Sequence, residues 1–202
     1  MLDATMRRLI DPPLNAAAGL IGSKFSANQI TIGGFFVGLG AVYAAAHGHF
    51  ITALALLALN RLADGLDGAV ARQTAATDLG AYLDIVADFL LWALLPLAFM
   101  FYDMKNGFAA AMLLSSFAMS MTVFLAFAIQ AEKRGTVSEA QGKKGFYYLA
   151  GLAEGTETIA FFAFVMLYPA YFAQSALIFA GFVYLSVIGR LIVSMQSLGS
   201  DK

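Results

Sequence analysis

The chain alternates long apolar runs with short polar breaks, and a helix that crosses a bilayer needs about 20 mostly apolar residues. Runs of that kind lie at 28–46, 50–72, 79–101, 107–131, 146–167 and 171–196. The breaks carry turn or polar signals: His47-Gly48-His49, residues 73–78, Asp103-Met104-Lys105-Asn106, the charged stretch 132–144, and Tyr168-Pro169-Ala170. This pattern predicts an all-α integral membrane protein, with six transmembrane helices over 28–196 in a single domain spanning 1–202. Residues 1–26 break the pattern. Asp3, Arg7, Arg8, Asp11 and Pro12-Pro13 interrupt any apolar run there, which predicts an amphipathic segment on the membrane surface, not a cleavable signal peptide.

Composition supports the same class. Hydrophobic residues make up 60% of the 202 positions and charged residues only 12%, whereas soluble domains carry about 25% charged residues. A formal net charge of -1 leaves no excess of Lys and Arg to neutralise a nucleic-acid backbone, so no nucleic-acid partner is expected. The lipid bilayer is the expected partner. With no Cys, disulfides and thiolate metal sites are excluded.

The basic residues orient the chain. Arg7, Arg8 and Lys24 precede the first predicted span, and Lys133, Arg134, Lys143 and Lys144 lie between the fourth and fifth, while the opposite loops offer only Lys105. The positive-inside rule places both termini and the 132–144 loop in the cytoplasm. The loop joining the second and third spans then faces the cytoplasm as well.

Near that loop the apolar pattern is broken by charge. Residues 64–88 read Asp64-x2-Asp67-Gly68-x2-Ala71-Arg72-x7-Gly80-x3-Asp84-x3-Asp88. Spacings of three and four keep each Asp pair on one helix face, and both pairs fall about one and a half to two and a half turns inside the cytoplasmic boundary. Isolated carboxylates in lipid are expensive, so a shared metal is the economical explanation. An oxygen-only donor set favours Mg²⁺ or Mn²⁺ over Zn²⁺, and four carboxylates suit two ions better than one. Pairing with Arg61 and Arg72 for helix association is the competing account, but two cations do not balance four carboxylates. Gly68, Ala71 and Gly80 are small enough to let a bulky ligand approach the backbone, and Arg72 could pair with phosphate oxygens.

These residues match the signature of the CDP-alcohol phosphotransferase (CDP-alcohol phosphatidyltransferase) family, which the chain resembles. That signature is often written with eight residues between its Arg and second Gly, whereas 73–79 supply seven, a difference confined to a loop. Asn28-Gln29-Ile30-Thr31 is similar to the Asn-x-Leu/Ile-Thr with which the family's first span begins. The resemblance implies a six-helix membrane enzyme that transfers the phosphatidyl group of a CDP-linked lipid, CDP-diacylglycerol above all, to the hydroxyl of a small polar alcohol and releases CMP. By the same resemblance Asp64, Asp67, Asp84 and Asp88 would be metal ligands, with Asp88 also the general base. Gly68, Ala71, Arg72 and Gly80 would line the nucleotide pocket, and a homodimer is implied. The stretch 144–158 resembles a bacterial inner-membrane branch of the family, which implies that membrane as the location.

A second set of polar residues reaches a similar depth. Glu154, Glu157 and Arg190 could form the wall of the acceptor alcohol's site, or an interhelical ion pair. Arg134, Lys143 and Lys144 could attract an anionic acceptor such as a polyol phosphate, or serve topology and anionic lipid alone. His47 and His49 fall on the far side and read as a solvated turn. Gly34-x3-Gly38 is a helix-pairing face, within the chain or between copies. A transporter or ion-conducting protein is the alternative function, since carriers also place ionisable residues inside helices. Its acidic residues should form a path across the membrane, and here they stop in one half.

Overall fold

In a computed structural model, which describes residues 3–134 and 155–199, the described chain is helical without strands. Its α-helices are α1 (Asp3–Ile21), α2 (Ala27–Ala46), α3 (Phe50–Gln73), α4 (Asp78–Tyr102), α5 (Gly107–Lys133), α6 (Gly155–Leu167) and α7 (Phe172–Gly199). Four stretches are long and apolar enough to cross a membrane: Ala27–Ala46, Asp78–Tyr102, Met104–Lys133 and Pro169–Gly199. The six expected spans are therefore met in part by hydropathy. The 24 residues of α3 suffice in length but carry Arg61, Asp64, Asp67 and Arg72. The described part of α6 is 13 residues, and 146–154 of the expected fifth span lie outside the described residues.

Local chemistry sets the boundaries. Ser26 and Gln29 close a capping box on α2: Gln29 N donates to Ser26 Oγ at 3.3 Å and Ser26 N to Gln29 Oε1 at 3.0 Å. The α2–α3 turn passes through Gly48 at φ 77°, a conformation that favours glycine, and a Cβ there would come within 2.9 Å of the Tyr102 ring. Thr77 caps α4 by accepting from Gly80 N at 3.0 Å. His47, in the same turn, rests its Nδ1 2.9 Å from its own helix's Tyr43 carbonyl.

Helix α2 packs on α3 and α4, α5 on α7 and α4, and α1 lies along α3. The glycine stripe of α2 is used within the chain. Gly34 faces Ala63, where an added Cβ would sit 2.8 Å from the alanine's own, and Gly38 faces Asn60 and Leu91. The apolar core, with Leu95, Phe99, Ala110 and Phe172 fully covered, gathers toward the end of the bundle that holds the α2–α3 and α4–α5 turns. There Phe99 stacks on Phe50 at 5.4 Å and on Phe172 at 4.2 Å. Asp67 lies six residues from the end of α3 and Asp84 six from the start of α4, about 9 Å along each axis. The carboxylates thus occupy the opposite half from the aromatic stack.

The N-terminal segment is more ordered than its prolines suggest. Helix α1 runs through Pro12 and Pro13, although each proline removes a backbone donor. Its compensation is packing: Ala18 is buried against Ala69 and Val70, Leu14 comes so close to α3 that a Cβ on Gly65 would meet it at 2.6 Å, and Gln73 Nε2 donates to the Asn15 carbonyl at 2.8 Å.

Candidate functional site

Two connected clefts lie on the Asp-bearing faces of α3 and α4, and a third lies beside them on α4. The first is narrow and is lined by all four of Asp64, Asp67, Asp84 and Asp88, together with Thr31, Asn60 and Arg61. The helical spacing expected from the sequence does bring the two pairs to one place. Asp67 is buried, and its Oδ2 accepts from Thr31 Oγ1 at 2.6 Å. The same hydroxyl lies 3.1 Å from the Ala27 carbonyl, and its single proton goes to the shorter, charge-assisted contact. Asp88 Oδ1 accepts from Arg61 Nη2 at 2.7 Å, and Asp64 Oδ2 lies 3.7 Å from Arg61 Nη1. The helix-association account is therefore right that Arg61 pairs with the cluster. It does not balance it.

Among the described residues no three of these carboxylates gather closely enough to hold one ion together; Arg61 engages Asp64 and Asp88, and Thr31 engages Asp67. The donor chemistry still fits a hard divalent cation. Four carboxylates share the cleft lining with one cationic side chain, so most of their charge lacks a counter-ion there.

The second cleft, about 150 Å³, opens from the first through Thr31, Asp67 and Asp84, which line both. Its remaining wall includes Asn28, Gly68, Ala71, Thr77 and Gly80, so three of the predicted nucleotide-pocket residues do share a cavity. Arg72 is exposed beside it, with Nη1 3.4 Å from where a Gly68 Cβ would stand. Gly80 is small for a reason visible here: a Cβ would come 2.8 Å from Asn28 Oδ1.

The third cleft, about 230 Å³, lies between α4, α5, α6 and α7. Phe89, Trp92, Phe117 and Phe124 supply most of its wall, with Ser120, Thr158 and Arg190 as its polar members. Arg190 Nη1 donates to Ser120 Oγ at 3.1 Å. Trp92 joins this cleft to the acidic one, because the Arg61 guanidinium lies 4.9 Å over its ring.

Of the other predicted acceptor residues, Glu157 and Arg134 are described. Glu157 is half-buried in the first turn of α6, next to Thr158 of the third cleft. Arg134 donates to the Ser197 and Leu198 carbonyls at 3.3 and 2.8 Å, where it caps the end of α7. Glu154, Lys143 and Lys144 lie outside the described residues. Reading the sequence gave no part to Asn60, Trp92 or Ser120. Asn60-Arg61 directly before Asp64, and Trp92 four residues after Asp88, carried a usable signal; Ser120 carried none.

The family model described as CDP-alcohol phosphatidyltransferase matches residues 24–192. The chain is 39% identical over 193 residues to Inner membrane protein YnjF of Escherichia coli (strain K12), covering 95% of this chain and 94% of that protein. Its fold is similar to the crystal structure of Mycobacterium tuberculosis phosphatidylinositol phosphate synthase (PgsA1) with CDP-DAG bound, at a TM-score of 0.71, 17% identity, and coverage of 90% of this chain and 93% of that one.

Proposed function

Because the chain belongs to the CDP-alcohol phosphatidyltransferase family, we propose that it transfers the phosphatidyl group of CDP-diacylglycerol to the hydroxyl of a small polar alcohol, releasing CMP. The observation that carries this reading is the convergence of Asp64, Asp67, Asp84 and Asp88 on one cleft that opens into the glycine-lined one. CDP-diacylglycerol, the ligand named for the PgsA1 structure, would put its cytidine and diphosphate against Gly68, Ala71 and Gly80, with Arg72 at the rim. Asp64, Asp67, Asp84 and Asp88 would hold Mg²⁺ or Mn²⁺. Bound divalent cations would disperse the charge that builds on the phosphoryl oxygens during displacement.

Asp88 is the general base. It takes the proton of the acceptor hydroxyl as that oxygen bonds to the β-phosphorus, and the phosphoanhydride bond breaks to release CMP. Thr31 steadies Asp67, and Arg61 steadies Asp88. The third cleft borders Asp88 through Phe89 and Trp92, and Arg190 with Ser120 there supports its reading as the acceptor site for a polyol or polyol phosphate. The basic residues near Lys24 and Lys133 favour a cytoplasmic site, where a soluble acceptor arrives from the cytosol and the lipid enters from the side.

The test is CMP release by purified protein given CDP-diacylglycerol, Mg²⁺ or Mn²⁺ and a panel of alcohols. Release with one acceptor class and its loss in excess EDTA are expected; activity that survives EDTA overturns the metal assignment. Product mass identifies the acceptor. A companion variant, Gly80→Val, pushes Asn28 into the nucleotide cleft. It should raise KM for CDP-diacylglycerol about tenfold, equivalent to roughly 1.4 kcal/mol of binding, and leave the thermal midpoint near wild type.

A further inference from the structure

Arg61 is anchored independently of the carboxylates it touches. Its Nε donates to Asn60 Oδ1 at 2.8 Å, Asn60 Nδ2 is itself tied to the Gly34 carbonyl at 2.9 Å, and the guanidinium lies over Trp92. The side chain is 14% exposed, whereas its partners Asp64 and Asp88 are 35% and 31% exposed. The cation is fixed and covered, and the two carboxylates remain open to the cleft. The asymmetry leaves both carboxylates free to meet a further cation while the guanidinium stays where it is.

Resting on the metal reading of the acidic cleft, we propose that Arg61 is a built-in counter-cation, which holds Asp88 and Asp64 when the cleft contains no divalent ion and competes with that ion for their oxygens. It is a positioning residue. Without it four carboxylates would face one another across a narrow cleft with no cation in the lining, and their repulsion would splay α3 from α4. With it, ion binding is weaker than four bare carboxylates would give, and the cleft survives between loading events. Asn60 and Trp92 keep the guanidinium in place when an ion draws the carboxylates away.

The experiment titrates purified protein with Mn²⁺, without nucleotide or lipid substrate, following free Mn²⁺ by its electron paramagnetic resonance signal, and records thermal midpoints in EDTA and in Mn²⁺. Arg61→Gln is expected to bind Mn²⁺ at least about tenfold tighter, the equivalent of roughly 1.4 kcal/mol. Its midpoint should fall below wild type in EDTA and recover in Mn²⁺. Arg61→Lys keeps the charge and should hold its midpoint in EDTA. Unchanged or weaker Mn²⁺ binding by Arg61→Gln, a variant that fails to fold even in Mn²⁺, or a lysine variant that behaves like the glutamine one each overturns the counter-cation role while leaving the metal site standing. Wild-type protein that binds no Mn²⁺ overturns the metal reading and this role with it.

Discussion

Asp88→Asn should abolish CMP release, by roughly a thousandfold or more, while the protein stays folded. The amide is the same size as the carboxylate, and its Oδ1 still accepts from Arg61 Nη2, the contact that in the wild type measures 2.7 Å. What disappears is the negative charge and the basicity. Positioned general bases contribute typically about 10² to 10⁴ in rate, and Asp88 is also one of the four carboxylates proposed to hold the ion, so both losses act on one step. CMP release with the acceptor found in the alcohol screen measures the effect, alongside size-exclusion profile and thermal midpoint. Retention of a tenth of wild-type activity would remove Asp88 from the chemistry.

The second large effect is structural and starts 54 positions earlier in the chain. A Cβ on Gly34 would stand 2.8 Å from that of Ala63, so Gly34→Leu forces α2 away from α3. Overpacking of this kind costs about 1 to 3 kcal/mol, and the damage reaches the cleft. Asn60 loses its bond to the Gly34 carbonyl and Thr31 is drawn off Asp67, contacts that measure 2.9 and 2.6 Å in the wild type. The variant should melt well below wild type in detergent and lose most CMP release. Gly33→Leu is the internal control, because nothing lies within 4 Å of a Cβ there. Equal effects at positions 33 and 34 would show that the α2–α3 contact is not responsible, since leucine favours a helix more than glycine does at either position.

The PgsA1 likeness, at 17% identity, speaks for the fold. Inner membrane protein YnjF, at 39% identity along nearly the whole chain, is the relative in which the same assays carry the most weight. Under the proposed function, the third cleft is where the alcohol that this chain accepts is to be sought. Its walls are largely aromatic, with Arg190, Ser120 and Thr158 as the polar members, so acceptor choice should follow substitutions there and not in the Asp motif.

By itself the sequence determined the helices, the level of the carboxylates and the reaction class. Observed helix bounds fall close to the expected ones, for example Ala27–Ala46 against 28–46 and Phe50–Gln73 against 50–72, because apolar run length and capping residues such as Ser26 and Thr77 act locally. Asp64 with Asp67, and Asp84 with Asp88, share faces by the same local arithmetic. Tertiary structure alone decided which faces meet. That Arg61 reaches Asp88, that Thr31 closes on Asp67, that Gly34 serves α3 and that Pro12-Pro13 ride inside a docked helix all depend on helices distant in sequence approaching to within a side chain's length. Helical periodicity fixes a residue's angle around its own axis and its height along it; a spacing such as Gly34-x3-Gly38 marks a face for close packing, but which helix fills that face is set only when the helices meet.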